Sequence, residues 1–450
     1  MEGIFARKKY SIVDFGAQPQ LEYDNQAAIQ KAIDTCSAEG GGKVVIPQGY
    51  WLTSPIQLKS NVCLYAENGA YVRFTKSREK YPLHYTEYEG RRAIRAISPI
   101  SAVNVKNIAI DGAGTFDGNG NSWRPKKDWK MPAWEWNKKK TSPYIAEVED
   151  GLLWFPTQSA YLGFKTNVDE TLPDALERAE EFYDWYRPVF ISIISCENVL
   201  LRGVTITNSP NWTIHPMYCR NVRVEGIYVK NSKEAQNSDG IDVDSCEDVL
   251  IKDCVFDVGD DAICMKSGKG REARKKVAPT KNVEVANCKV YRGHGGFVIG
   301  SEMSRGVENV YVHDCCFFTT DIGIRIKSAM GRGGYVRNIK IDNITMCEIS
   351  GDCVTFSMGY SILSLLDKAD HITKFTPDDV PVIEGFEISN ITCDSAERFL
   401  LVEGLDVSHV KDVTFNNCFV TAGKDMKISN AENITLNNVT INGKSYDGKY

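Results

Sequence analysis

A short pattern that recurs through the second half of the chain limits the folds available to it. In each copy, apolar and polar side chains alternate over about nine residues, with Gly, Asp or Asn near the middle. A recurring unit of a little over twenty residues, lengthened by insertions, is typical of stacked supersecondary elements. Copies begin at Asn107, Asn198, Asn221, Asp248, Asn282, Asn309, Asn338, Gly385, Asp412 and Asn433.

Each copy predicts two β-strands joined at a sharp bend. Alternating apolar residues indicate strands, and Gly, Asn and Asp tolerate the left-handed backbone that such a bend requires. The sequence therefore predicts an all-β fold, a single-domain right-handed parallel β-helix over residues 1–450, in which each coil lies on the preceding one. We expect the bends at Gly203, Gly226, Asp253, Asn287, Asp314, Asn343, Asn390, Asn417 and Asn438.

Two regions stand outside the repeat. Residues 25–38 have apolar side chains at helical spacing and precede a run of glycines, which predicts a helix that covers the N-terminal end of the stack. Residues 119–190 interrupt the repeat and contain six of the eight tryptophans. We expect this segment to be a long insertion on one coil.

Composition argues against several classes of protein. The formal net charge of −6 is unlike that of a nucleic-acid binder. No apolar run is long enough to span a membrane, and the N-terminus lacks the apolar core of a signal peptide. A cytoplasmic location is expected from this, or a periplasmic or secreted one if a signal has been removed.

Fourteen cysteines could suggest a disulfide framework, but in a chain of 450 residues they are not dense and form no CxxC pair. Most are expected to be small buried hydrophobic residues. Cys254, Cys288, Cys315 and Cys418 follow the predicted bends and should share one column of the stack.

Acidic residues fall into register when the strands after the bends are aligned. The segments 238–245, 260–267, 294–301 and 321–328 align without gaps, with apolar residues at the inward positions. Asp239 then stacks on Asp261, while Asp260, His294 and Asp321 share the neighbouring column. Because adjacent coils lie about 4.8 Å apart, we expect these side chains to converge.

Carboxylates this close predict acid and base chemistry. Like charges raise one pKa, which leaves one carboxyl protonated and another ionised, as cleavage of a glycosidic bond requires. Outward-facing Arg325, Lys327 and Lys266 would form a cationic cluster that could bind an anionic sugar. For Asp242 and Asp244 an outward ladder and a place in the cleft remain equally open.

These motifs resemble glycoside hydrolase family 28, the polygalacturonases. The family is marked by NTD, DD, GHG and RIK in that order, and this chain has NSD at 237, GDD at 259, GHG at 293 and RIK at 325. Ser238 replaces the usual Thr but keeps the hydroxyl. The resemblance implies inverting hydrolysis of α-1,4-linked galacturonate in pectic oligosaccharides, without a metal or other cofactor.

The resemblance also implies a role for each matching residue. Asp260 would be the general acid, Asp239 and Asp261 the bases that activate water, and His294 would tune the protonation of the acid. Inversion predicts carboxyls roughly 6.5–9.5 Å apart. The expected substrate-binding residues are Asn237, His215, Arg325, Lys327 and Lys266.

The insertion bears on the mode of action. Its Trp123, Trp129, Trp134 and Trp136 could stack on sugars, and Arg124, Lys126, Lys127 and Lys130 could meet carboxylates, which favours exo action from the non-reducing end. The alternatives are an endo-polygalacturonase, a rhamnogalacturonan-directed hydrolase, a calcium-dependent pectate lyase and a non-catalytic polysaccharide-binding β-helix.

Overall fold

A computed structural model describes residues 2–6, 8–148, 150–166, 168–170, 172–276, 278–359 and 375–450. The chain divides into two compact units, Met1–Glu87 with Arg92–Ser238, and Tyr88–Arg91 with Asp239–Tyr450. Each unit is built around stacked parallel strands, so the predicted parallel β-helix is confirmed. The assignment of residues 1–450 to a single domain stays a prediction.

In the first unit, parallel strands pair from coil to coil in three stacks. The first stack contains Lys9–Ser11, Gly42–Ile46, Val62–Ala66, Lys106–Gly112, Glu197–Arg202 and Arg220–Glu225. The second contains Gly49–Thr53, Ala70–Phe74, Thr115–Asp117, Thr205–Thr207 and Tyr228–Lys230. The third contains Ile56–Gln57, Ile100–Val103, Ile191–Ile194 and Ile214–Met217.

The second unit repeats this arrangement with longer strands. Its first stack contains Glu247–Lys252, Thr280–Ala286, Val307–Phe318, Tyr335–Cys347, Val382–Glu403, Val410–Lys424 and Ala431–Ile441, followed by antiparallel Lys444–Lys449. Its second stack begins with Val255–Asp257 and Lys289–Arg292. The latter pairs with the C-terminal part of the long strand Val307–Phe318, so the second stack continues within the long strands of the first. Its third contains Ile241–Asp244, Ile263–Lys266, Gly295–Ile299, Ile322–Lys327, Asp352–Ser357 and Lys427–Ser429.

The bends are as the sequence predicts. All nine expected bend residues have φ between 51° and 72°, the left-handed region. The first residue of each copy is also left-handed, for example Asn107 and Asn198 with φ of 55° and 57°, which the sequence analysis did not predict. Amides at these positions form ladders, since Asn198 Nδ2 donates to Asn107 Oδ1 over 2.9 Å and Asn221 Nδ2 to Asn198 Oδ1 over 2.6 Å.

Inward side chains fill the interior of the coils. Ile241, Val243, Ile263 and Met265, predicted to face inward, are completely buried. None of the fourteen cysteines forms a disulfide, and twelve are buried, including the four in the predicted column. This confirms the interpretation of cysteine as a small core residue.

Helices are few. The predicted N-terminal helix spans Gln26–Ala38 and packs on Gly42–Ile46 and Val62–Ala66. Among the residues described, no helix combines the length and the apolarity needed to cross a membrane. Outside the insertion, the other short helices in the described ranges are α-helices Glu2–Phe5 and Gly270–Arg274, and 3-10 helices Ile12–Phe15, Arg78–Lys80 and Pro377–Asp379.

The insertion is a folded element with its own core. Strands Lys126–Lys127, Gly151–Trp154 and Ile145–Val148 form an antiparallel sheet, while Leu83–Tyr88 and Arg91–Ala96 form a separate two-stranded one. Ala146, Leu153, Phe155 and Ala160 form its buried centre. Its helices are Gly120–Ser122, Asp128–Lys130, Ala133–Lys139, Gln158–Lys165, Ala175–Glu180 and Tyr183–Trp185.

Candidate active site

Three aspartates of the second unit converge where strands of the third stack begin. Asp239 precedes Ile241–Asp244, and Asp260 and Asp261 precede Ile263–Lys266, strands that pair in the predicted register. Asp239 is 3% exposed, Asp260 9% and Asp261 1%. One carboxylate oxygen from each lies within 4.8 Å of the other two. The predicted convergence is thus found in the structure.

The nearest carboxyl oxygens of the three aspartates lie close together because one pair is adjacent in the chain and the other belongs to neighbouring coils. The separation of roughly 6.5–9.5 Å expected for inversion applies to whole carboxyl groups, so it stays a prediction beside this closest approach within 4.8 Å. Oxygens at this spacing could also hold a cation, but two basic side chains already provide positive charge here.

Asp261 is the ionised member of the cluster. Lys327 Nζ donates to its Oδ2 over 2.7 Å, and Arg325 Nη1 lies 4.0 Å from its Oδ1. Burial by itself raises the pKa of Asp261, but Lys327, Arg325 and His294 oppose it and hold that pKa below the ordinary value. Asp261 is therefore suited to accept a proton.

The pKa of Asp239 is shifted in the opposite direction. Burial, and then the charges of Asp242, Asp260 and Asp261, raise its pKa well above the ordinary value. Among the described residues, its Oδ1 accepts no hydrogen bond, which is unusual for a buried carboxyl oxygen. The cluster thus combines a protonated and an ionised carboxyl at short range.

His294 lies at the edge of this cluster on the next coil. Its backbone N–H donates to Asp260 O over 2.9 Å, so the chain holds the two residues side by side. Its Nδ1 lies 2.7 Å from Asp321 Oδ2, and its side chain is 24% exposed. Asp321 shares the column of Asp260 and His294 in the aligned strands, but no role is predicted for it from the sequence. The structure shows it as the partner that orients the imidazole.

Lys266 is directed at protein carboxylates. It is 3% exposed, and its Nζ lies 2.7 Å from Glu302 Oε2 and 3.6 Å from Asp242 Oδ1. Burial would lower the pKa of Lys266, but Cys264, Glu302 and Asp242 raise it well above the ordinary value. Its predicted contact with substrate would require this network to open.

Asp242 and Asp244 do not face solvent, because both are completely buried. Other parts of the second unit cover this face of the sheet. Arg305 donates to Gly90 O over 2.6 Å and to Ser245 Oγ over 3.1 Å. An exposed outward ladder, one of the two alternatives for these aspartates, does not describe their position, whereas a place in the cleft stays a prediction.

Two predicted substrate residues belong to the first unit. His215, on Ile214–Met217, is 1% exposed and packs edge-to-face on Trp212 with ring centres 5.1 Å apart. Asn237 has a left-handed φ of 53°, and its Oδ1 accepts a hydrogen bond from Arg187 Nη2 over 2.9 Å. Their roles in substrate binding stay predictions.

The insertion differs from the sugar-binding surface predicted for it. Trp123 is 1% exposed and packs edge-to-face on Tyr81, and Arg124 is completely buried and donates to Ser209 O over 3.0 Å. The prediction was wrong for these two residues because they build the core that holds the insertion. Trp134, at 64% exposure, is the most accessible of the four tryptophans that were predicted to stack on sugars.

Comparison with known proteins agrees with the site. Residues 180–376, which contain the three aspartates, match the model for glycosyl hydrolases family 28. Residues 10–131 match the model described as rhamnogalacturonase A/epimerase, pectate lyase-like.

Similar proteins cover nearly the whole chain. An exo-poly-alpha-D-galacturonosidase from Dickeya chrysanthemi is 27% identical over 96% of this chain and 71% of its own length. An endo-polygalacturonase from Pectobacterium carotovorum subsp. carotovorum is 25% identical over 91% and 88%. The structure of a hyperthermoactive exopolygalacturonase from Thermotoga maritima aligns with a TM-score of 0.81 at 28% identity, covering 99% and 95%. These findings identify the chain as a glycoside hydrolase that is similar to polygalacturonases and whose residues 180–376 match the family 28 model.

Proposed function

We propose that the chain hydrolyses α-1,4-linked galacturonate in pectic oligosaccharides, from the non-reducing end and with inversion of the anomeric centre. The proposal rests on one observation, the close approach of Asp239, Asp260 and Asp261, in which the pKa of Asp239 is raised and that of Asp261 is lowered. Arg325 and Lys327, beside Asp261, provide positive charge for an acidic sugar.

Asp260 is the proposed general acid. It is the most exposed of the three aspartates, so its carboxyl is the one best placed to reach a glycosidic oxygen. The proton that the cluster retains is shared between neighbouring carboxyls, since coupled groups titrate as a unit. As the bond between the anomeric carbon and the glycosidic oxygen breaks, its electron pair goes to that oxygen, which takes the proton.

Asp261 is the proposed base, with Asp239 as a second group that positions water. Asp261 is almost completely buried and its Oδ2 is held by Lys327, so contact with the anomeric carbon through a water molecule fits better than direct attack. The water oxygen forms the new bond to carbon, and its proton passes to Asp261. This is the reason for proposing inversion despite the close approach of the carboxyl oxygens.

Inversion is tested by proton NMR of the earliest product from an α-linked oligogalacturonide. The proposal requires the β-anomer to appear first and then to mutarotate. Initial formation of the α-anomer would indicate a covalent intermediate and contradict the role given to Asp261. Activity that is lost in EDTA, with an unsaturated product absorbing in the ultraviolet, would favour the lyase alternative.

Exo action is proposed from the two exo-acting relatives. The test follows polygalacturonic acid by viscosity and chromatography together. Exo action releases monomer while viscosity falls slowly. A rapid fall in viscosity with mixed oligomers, as for an endo enzyme, would contradict it.

A further inference from the structure

The turn that leads to Asp239 has no strand of its own. Eight residues, 231–238, connect Tyr228–Lys230 to the residues before Ile241–Asp244 and lie outside the strands, with Asn231 Oδ1 accepting a hydrogen bond from Ser209 N over 2.9 Å. The turn is nevertheless largely buried, with Ala235 and Ser238 completely inaccessible. Buried backbone N–H and C=O groups need hydrogen-bond partners, so the residues that provide these partners help to hold the turn in place.

The insertion supplies several of these partners through its first strand. Lys127 N–H donates to Glu234 O over 2.8 Å, and Gln236 N–H donates to Pro125 O over 3.0 Å. Lys126 pairs with Ala235 as an antiparallel bridge. Residues 125–127 thus pair with the turn as a neighbouring strand would.

An ion-pair network reinforces this contact. Lys126 Nζ lies 3.0 Å from Glu234 Oε1 on the turn and 2.7 Å from Glu135 Oε1 on a helix of the insertion. All three side chains are less than one fifth exposed. Partial burial strengthens such pairs relative to those at a surface.

Arg187, at the other end of the insertion, holds the last part of the turn. Its Nη1 donates to Gln236 O over 3.0 Å and to Pro210 O over 3.3 Å, and its Nη2 donates to Asn237 Oδ1 over 2.9 Å. The residue is 5% exposed. A planar guanidinium can bind several acceptors in fixed directions, which a lysine ammonium cannot reproduce.

We propose that the insertion is a positioning device for Asp239, in which Arg187 and residues 125–127 clamp the turn that carries it. This inference rests on the proposed function only in taking Asp239 as a catalytic residue. Asp239 follows Ser238, the last residue of the turn, directly in the chain, so the clamp holds the segment from which Asp239 continues. Displacement of a reacting group by about 1 Å can cost roughly 100-fold in rate.

The clamp predicts a specific kinetic effect. Arg187→Lys keeps the positive charge but loses the planar guanidinium that binds several acceptors, and Arg187→Ala loses both the charge and the guanidinium. Each should lower kcat by about 10- to 100-fold and change KM by a smaller factor, because Arg325 and Lys327, proposed to bind substrate carboxylates, are untouched, although Asn237 loses its contact with Arg187. A role confined to stability would lower the melting temperature and leave kcat of the folded enzyme unchanged.

The experiment measures kcat, KM and thermal unfolding of the full chain on oligogalacturonides. Arg178→Lys, an exposed arginine of the same insertion, is the matched control and should behave as wild type. Millimolar guanidinium should restore part of the activity of Arg187→Ala and leave wild type unaffected. If Arg187→Ala does not fold, Lys126→Met provides the second variant, with the same expected loss in kcat.

Unchanged kcat in folded Arg187→Lys and Lys126→Met would overturn the clamp. Asp260→Asn is measured in parallel to separate this inference from the proposed function. If Asp260→Asn remains active, the proposed function fails. If it is inactive while the clamp variants keep full kcat, only the positioning role fails.

Discussion

The buried ion pair between Lys327 and Asp261 allows the electrostatics of the site to be tested directly. The Lys327 side chain is 7% exposed and that of Asp261 2%, with 2.7 Å between Nζ and Oδ2. At an effective dielectric constant of about 20, two charges at this distance attract by about 6 kcal/mol, part of which desolvation offsets. Hydrogen bonds to charged groups contribute a net stabilisation of about 1.5–3 kcal/mol, equivalent to about 10- to 150-fold in a rate or equilibrium.

We expect Lys327→Met to raise the pKa of Asp261, because the strongest opposing charge disappears while burial remains. A carboxyl whose folded pKa is depressed contributes stability above its unfolded pKa, and this contribution is lost as pH falls through the folded value. In the variant, the free energy of unfolding at neutral pH should therefore fall, by up to about 3–5 kcal/mol. The acid limb of the kcat/KM profile should move to higher pH.

The assay is a pH profile of kcat/KM on a short oligogalacturonide, with chemical denaturation across the same pH range. Lys327→Arg, which keeps the positive charge, is the control and should retain an acid limb near that of wild type. An acid limb in Lys327→Met at the wild-type position, with kcat/KM reduced equally at every pH, would refute the reasoning. Lys327 would then act on substrate alone and not through Asp261.

Three further substitutions address the remaining groups. Asp260→Asn should fold normally and lose several orders of magnitude in kcat, and more than a tenth of wild-type activity would exclude Asp260 as the acid. Arg325→Gln should raise KM for galacturonides by about 10- to 150-fold and narrow the preference over methyl esters, whereas unchanged discrimination would show that Arg325 does not bind the carboxylate. Asp321→Asn should lower kcat about tenfold by loosening the imidazole of His294, and full activity would show that their 2.7 Å contact is dispensable.

The sequence predicted the coils well because their signals are local. Alternation and a bend residue recur within nine positions, so Asp253 and Asn287 could be assigned left-handed conformations without knowledge of distant contacts. Once the strands were in register, the approach of Asp239 to Asp261 followed from the spacing between coils. Aligning equivalent strands was sufficient for this part of the site.

Features formed by distant parts of the chain could not be predicted in this way. Glu302 neutralises Lys266, and no repeat pattern relates the two residues. Trp123 resembled an exposed aromatic because it lies in a polar insertion, yet that insertion needs a core and Trp123 provides part of it. The hydrogen bonds of Arg187 depend on how the insertion folds, and the sequence contains no periodic signal for that.

The ladders of left-handed Asn and Asp residues form in the same way whether the loops between coils are short or long. Asn221 bonds to a partner 23 residues earlier and Asn198 to one 91 residues earlier, with the same geometry of amide on amide. In the second unit, Asn390 bonds to Asp342 across 48 residues and Asn438 to Asn417 across 21. Segments between coils can therefore grow or shrink during evolution without a shift in strand register, and new substrate preferences can arise on an unchanged scaffold.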